Sequence, residues 1–261
     1  MYKAFSLSID NPTKLFPSFE CSFDGEIKQV VEKLPRALKS LQSLDASVIQ
    51  CKWFESVDSD VFISHSSKDS EAAKRFGAYL KKTFGLKVFI DSLFWQHMDD
   101  LLRALDNEHC VSERYDNGAV KTYSYDRRNI TSAHVHMILS HALTQMINHA
   151  ECFIHLDTKN ATSAKTNLDI KTHSPWLFHE LAMVNVIQEN RPKRLRLMKE
   201  GCFSTYAEDS MEGLEISYRA PRSRLVEIRL ETIQEWADSC CDNYFGAVNL
   251  DKLYELVDAY A

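Results

Sequence analysis

The sequence predicts an α/β fold in which a parallel sheet is flanked by helices on both faces. Three observations predict it. Val61-Phe62-Ile63, Leu86-Lys87-Val88-Phe89-Ile90 and Cys152-Phe153-Ile154-His155-Leu156 are short, mostly apolar runs, the mark of strands buried on both faces. Between them lie segments of helical period: Ala72, Ala73, Phe76 and Leu80 share one helix face, as do Val135, Ile138, Leu139, Ala142, Leu143, Met146 and Ile147. Strand, helix and strand over residues 60–90 make one right-handed βαβ unit, and ligands of such sheets bind beyond the carboxyl ends of the strands. Ser64, His65 and Asp91 fall at that edge.

Taken in order, residues 1–57 read as an N-terminal extension of a strand plus a helix. Phe5, Leu7 and Ile9 alternate, and Ile27, Val30, Val31, Leu34, Leu38 and Leu41 keep helical spacing with an interruption at Pro35. The main domain is expected over 58–261. In its βαβ unit, Gly85 suits the left-handed position that ends the helix. A long insertion follows at 92–130, with a short helix near Met98–Leu105 and a hairpin turn at Tyr115-Asp116-Asn117-Gly118. The amphipathic helix spans 131–149, capped by Thr131 or Ser132. After Pro192, strands are expected at Leu195–Met198, Leu214–Tyr218 and Val226–Leu230. Helices follow around Ile233–Cys240 and Leu250–Val257.

One stretch carries the strongest functional signal. In Ser174-Pro175-Trp176-Leu177-Phe178-His179-Glu180-Leu181, Ser174 is a good N-cap and Pro175 sits where its missing N–H is harmless. Trp176 and Glu180, four residues apart, are then neighbours on one helix face. A carboxylate beside a flat aromatic suits a heteroaromatic cation or a sugar. The same residues also describe a half-buried Trp beside an exposed Glu.

Composition removes several classes of function. Of 261 residues only 7 are Gly, and neither G-x-G-x-x-G nor a P-loop occurs, so no Rossmann or Walker phosphate cradle is expected. A net charge of −6 speaks against nucleic acid as partner. Seven scattered cysteines without a C-x-x-C pair read as reduced thiols of a cytoplasmic protein. No signal peptide and no membrane span are expected. His134, His136, His141 and His149 lack the spacing of a metal pair, so no metal is expected.

Asp60-Val61-Phe62-Ile63-Ser64-His65-Ser66-Ser67-Lys68-Asp69 resembles the opening of a bacterial TIR (Toll/interleukin-1 receptor) domain, Val88-Phe89-Ile90-Asp91 resembles its second strand, and Ser174-Pro175-Trp176 with Glu180-Leu181 resembles the helix bearing its catalytic glutamate. The resemblance covers residues 58–190. It implies a flavodoxin-like sheet, with NAD+ as substrate rather than cofactor. It also implies cleavage of the nicotinamide–ribose bond by Glu180, in a hydrolase, a cyclase or an ADP-ribosyl transferase. Ser64, His65, Ser66, Asp91, Trp95 and Trp176 would line the substrate site, with Trp95 in a loop that covers it. Self-association through TIR surfaces would accompany catalysis. A nucleotide product acting on a separate effector, as in Thoeris-like anti-phage systems, is the implied setting. The alternative is a non-catalytic TIR scaffold acting by assembly alone. Two positions depart from the family pattern: His179 stands where a second aromatic is usual, and Ala182 where a glycine is. His179 either shapes the pocket wall and the choice of acceptor or faces solvent, and the solvent-facing reading is the one expected here.

Overall fold

The strands in chain order are β1 (Lys3–Ser8), β2 (Val61–Ser64), β3 (Val88–Ile90), β4 (Val111–Arg114), β5 (Val120–Tyr123), β6 (Cys152–Asp157), β7 (Ser163–Ala164), β8 (Ile170–Thr172), β9 (Tyr218–Arg219) and β10 (Val226–Ile228). The helices are α1 (Ser70–Phe84), α2 (Tyr125–His149), α3 (Pro175–Val186), α4 (Leu230–Ser239) and α5 (Asn249–Tyr260). This computed structural model describes residues 1–19, 59–92, 102, 103, 105–164, 170–195, 218–240 and 245–260.

Five of the strands form one sheet in the order β10-β1-β6-β2-β3, with every neighbouring pair parallel. The sheet is buried on both sides. Phe5, Leu7, Val61, Ile63, Cys152, Ile154 and Leu156 face a core shared with α1, α4 and α5. Their sequence neighbours Ala4, Phe62, Phe89 and Phe153 face a second core shared with α2 and α3. The alternation is the period-2 rule of strands, and it is apolar on both faces because helices cover both.

The βαβ unit forms as its sequence predicts. Gly85 ends α1 at φ 67°, with its N–H bonded to the carbonyl of Lys81 at 3.0 Å. A Cβ there would meet the Phe245 ring at 2.3 Å, so both backbone and space favour glycine. Next to it, Trp236 of α4 stacks on Phe84 with centroids 3.8 Å apart, and its indole N–H donates to the carbonyl of Asn249 at 2.7 Å. These contacts fix α4 and α5, both expected from their periodicity, against the end of α1.

The first strand corrects the expected N-terminal extension. β1 lies inside the sheet, paired with β6 over six residues and with β10 on its other side. From the β3 edge the order is β3-β2-β6-β1-β10, which is 3-2-4-1-5 along the chain; it takes the 2-1-3-4-5 form of flavodoxin-like sheets when the chain's first strand is counted in the fourth place. The strand expected at Leu195–Met198 does not fill it: Lys193–Leu195 is a 3-10 turn, and residues 196–217 lie outside the described ones. The alternation of Phe5, Leu7 and Ile9 predicts a strand but carries no information on its partners. Ser6 is buried and accepts a hydrogen bond from Arg222. The helix expected over residues 27–41 lies outside the described residues.

Within the insertion, β4 and β5 form an antiparallel hairpin around Gly118 at φ 81°. α2 starts at Tyr125, six residues before the expected position, capped by the Ser124 hydroxyl, which accepts from Arg127 N–H. Its first turns are solvated and carry no apolar period, so pattern alone missed them. Of the short helix expected at Met98–Leu105, residues 102, 103 and 105–109 are helical. Among the described residues no helix is long and apolar enough to cross a membrane, and Cys110, Cys152 and Cys240 are not in disulfides.

Candidate active site at the carboxyl edge of the sheet

α3 begins as its sequence dictates. The Ser174 hydroxyl accepts from the Leu177 N–H at 3.2 Å, and Pro175 occupies the first turn. Leu177, Glu180, Leu181 and Val184 form its buried stripe, at the i, i+3, i+4, i+7 spacing of a core-facing helix. Glu180 therefore points into the sheet. Trp176, one position off the stripe, points toward α2, where it stacks on the His136 ring at 5.7 Å.

Several contacts fix the rotation of α3 about its axis. His179 Nε2 lies 3.1 Å from the Ser140 carbonyl and 3.2 Å from Thr144 Oγ1, both on α2. This corrects the expectation that His179 faces solvent; the polar groups of α2 give the imidazole partners. Its pKa is lowered by burial, partly opposed by the bond to Ser140. At the other end Asn185 Nδ2 donates to the Pro221 carbonyl at 2.8 Å, and Arg224 donates to the carbonyls of Val184, at 2.9 Å, and Ile187. A cation on the last carbonyls is a favourable helix end. Phe178 stacks on Tyr218 at 4.7 Å.

Glu180 is 0% exposed, unusual for a residue type rarely buried without a partner. Its carboxyl faces Asp91, at the end of β3, and Ser64, at the end of β2. Neither of its oxygens meets a hydrogen-bond donor in good geometry. Burial first, then the neighbouring Asp91 carboxyl, push the Glu180 pKa well up, while the Ser64 hydroxyl opposes the rise. Asp91 in turn lies 2.8 Å from His65 Nδ1, so the imidazole shields the second carboxyl. The site thus holds two carboxyls side by side with one imidazole and one hydroxyl, in a low-dielectric setting where each charge matters more than in water.

The expected residues divide into three groups. Ser64, His65, Asp91 and Glu180 come together. Ser66 is buried nearby, where its carbonyl accepts from Asp69 N–H at 2.8 Å and shapes the turn after β2. Trp176 is half-buried against His136, away from the sheet-facing stripe, and Trp95 lies outside the described residues. The sheet register adds residues that pattern reading missed. Ser64 lies opposite His155, and His155 opposite Ser6, so three polar side chains form one row across β2, β6 and β1. His155 is fully buried, with Nδ1 3.5 Å from Ser64 Oγ and its Nε2 without a hydrogen-bond partner. Burial, chiefly, lowers its pKa to about 4; Arg222 and His65 also lower it, while Asp157 and Ser64 oppose. Beyond it, Arg222 donates to Asp157 at 2.6 Å and to Ser6. The available signal was a histidine in an otherwise apolar strand run.

This cluster spans the ends of β3 and β2 and reaches the β2–β6 boundary through Ser64 and His155. The chain goes from β2 to β3 on one side and then returns to β6 on the other, and such a switch point is where open α/β sheets place ligands. No group of three His, Cys, Asp or Glu side chains among the described residues is arranged to hold a metal ion. Comparison with protein-family models, curated proteins and solved structures gives no match.

Proposed function

We propose that the chain is a TIR-type NAD+-cleaving enzyme with Glu180 as its catalytic carboxylate. The observation that carries this reading is the buried Glu180 carboxyl at the topological switch point, with both oxygens lacking good donors. Such an acceptor pair matches a vicinal diol, and the ribose of NAD+ offers one beside the bond to be broken. The C1′–N bond pair leaves with nicotinamide, which departs neutral and needs no acid. Positive charge develops on the ribose ring, as in glycoside cleavage, and is discharged when water, or an acceptor hydroxyl or ring nitrogen, forms a bond to C1′, a water or hydroxyl acceptor releasing its proton. A carboxylate about 4 Å away supplies roughly 4 kcal/mol at an effective dielectric near 20, or about a thousandfold in rate if felt only in the transition state.

Ser64 and Asp91 set the electrostatic surroundings of that carboxylate, and His65 holds Asp91. His136 covers one face of Trp176, so a stacked pyridinium uses the other face or replaces the imidazole. Complete burial of Glu180 describes a closed site, which must open at the carboxyl edge of the sheet to admit NAD+. Self-association, and a nucleotide product passed to a separate effector, fit the same reading and rest on the family resemblance. The sheet order and the Ser64, Asp91 and Glu180 cluster support the finer fold assignment to the TIR class.

The test is purified protein incubated with NAD+ over a range of protein concentrations, followed by chromatography for free nicotinamide. The parent chain is expected to release nicotinamide and Glu180→Gln to release at least a hundredfold less. No release at any concentration returns the chain to the alternative, a non-catalytic assembly module.

A further inference from the structure

Ser64, His65, Asp91 and Glu180 are all buried, so a ligand reaches them only after the carboxyl edge of the sheet parts. We propose that a clasp of Asp69, Thr158 and Asn160 keeps the site shut, and that the site opens where this clasp releases, between the turn after β2 and the turn after β6. The need to uncover Glu180 rests on its reading as the reacting carboxylate; the clasp itself rests on hydrogen bonds at the sheet edge.

β2 and β6 are parallel neighbours with Ser64 opposite His155, so the segments that leave them emerge side by side. Each segment is a turn that holds its own shape. After β2, the Asp69 N–H donates to the Ser66 carbonyl at 2.8 Å, and α1 starts at the next residue. After β6, the Thr158 carbonyl accepts from the N–H groups of Ala161 at 3.1 Å and Thr162 at 3.2 Å. The Thr158 hydroxyl accepts from the N–H groups of Asn160 and Ala161, both at 3.1 Å, and the Thr162 hydroxyl donates to Asp157 at 3.0 Å. Among the described residues, the hydrogen bonds that join the two turns end on one carboxylate. Asp69 accepts from the Thr158 hydroxyl at 2.5 Å on one oxygen and from the Asn160 side-chain amide at 2.8 Å on the other.

Two preformed turns joined through one side chain can separate without either being remade. Asp69 and Thr158 are buried, and Asn160 is exposed at the rim. Hydrogen bonds to a carboxylate shielded from water are strong, yet two of them are few enough to break together in a local opening. The Thr158 hydroxyl is the hub: it gives its one proton to Asp69 and both lone pairs to its own turn. The neighbouring ties lie elsewhere along the edge. The Ser70 and Ser92 hydroxyls, 3.1 Å apart, join the start of α1 to the residues after β3. Arg222, ahead of β10, joins Asp157 to Ser6. Neither of these crosses from β2 to β6, where the switch point lies.

The experiment reads the opening in the full chain without substrate. Diethyl pyrocarbonate modifies accessible imidazoles, and peptide mapping by mass spectrometry gives its rate at His65, whose side chain is 0% exposed in the closed form. Hydrogen exchange of the β1 amides reports global unfolding in the same samples. Thr158→Val keeps the shape and loses the hydroxyl; Asn160→Ala changes an exposed residue. Each is expected to raise the His65 rate by about tenfold with β1 exchange unchanged. Thr158→Ser keeps the hub and is expected to match the parent. Asn160→Ala carries the test alone if Thr158→Val does not fold. An unchanged His65 rate in Asn160→Ala, an acceleration that β1 exchange shares, or Thr158→Ser behaving like Thr158→Val overturns the proposal. Faster modification of His65 without nicotinamide release by any form supports the clasp while refuting the NAD+ reading.

Discussion

Glu180 and His155 are buried ionisable residues on opposite sides of one hydroxyl, and their pH behaviour has opposite sign. Burial and Asp91 raise the Glu180 pKa above its ordinary value. The native state therefore gains most from this group at low pH, and loses that advantage as pH rises from the unfolded pKa toward the folded one. Glu180→Gln removes the liability, so it is expected to lose activity while melting at the same temperature as the parent near neutral pH, or higher. For His155 the folded pKa is lowered from 6.5 to about 4. Its contribution is intact above pH 6.5 and declines as pH falls toward 4, by roughly 3 kcal/mol in total. Denaturant titrations near neutral pH and near pH 4 are expected to show this loss in the parent. In a folded His155→Asn variant the same comparison should show it much reduced.

At the scale of the element, α3 matters because its rotation aims Glu180. Two caps hold it. Ser174→Ala removes the bond to the Leu177 N–H and is expected to lower stability by about 1 kcal/mol. Arg224→Ala removes a cation from the Val184 and Ile187 carbonyls and is expected to lower it by about 2 kcal/mol. Both are read from denaturant midpoints at constant slope. Because Arg224 also ties α3 to the segment before β10, its loss is expected to lower the rate of nicotinamide release more than Ser174→Ala does. Equal effects on rate would show that the carboxyl end of α3 does not govern the aim of Glu180.

For the whole molecule the decisive feature is β1. Phe5 and Leu7 are fully buried, and the strand pairs on both sides. A chain lacking residues 1–10 would leave two open strand edges and an apolar slot in the middle of the sheet. Loss of cooperative unfolding and of solubility is expected. A soluble, cooperatively melting truncated protein would show that the remaining strands can close the sheet without β1. The polar row Ser64, His155 and Ser6 also belongs to this scale, since it exists only because β1, β6 and β2 lie side by side in register.

The sequence alone determined the βαβ unit, the Gly85 helix stop, the capped start of α3 and the prominence of Glu180, Ser64, His65 and Asp91. Each of these is written in local spacing, capping chemistry or a short apolar run, and local rules suffice to read them. Only the tertiary structure decided that Glu180 is buried rather than exposed, that His179 turns onto α2, and that His155 and Arg222 join the cluster. It alone placed the first strand fourth in the sheet. Those outcomes depend on which strands become neighbours and which way a helix is rotated. They are set by contacts between residues as far apart as Ser6 and Arg222, which no window along the chain contains.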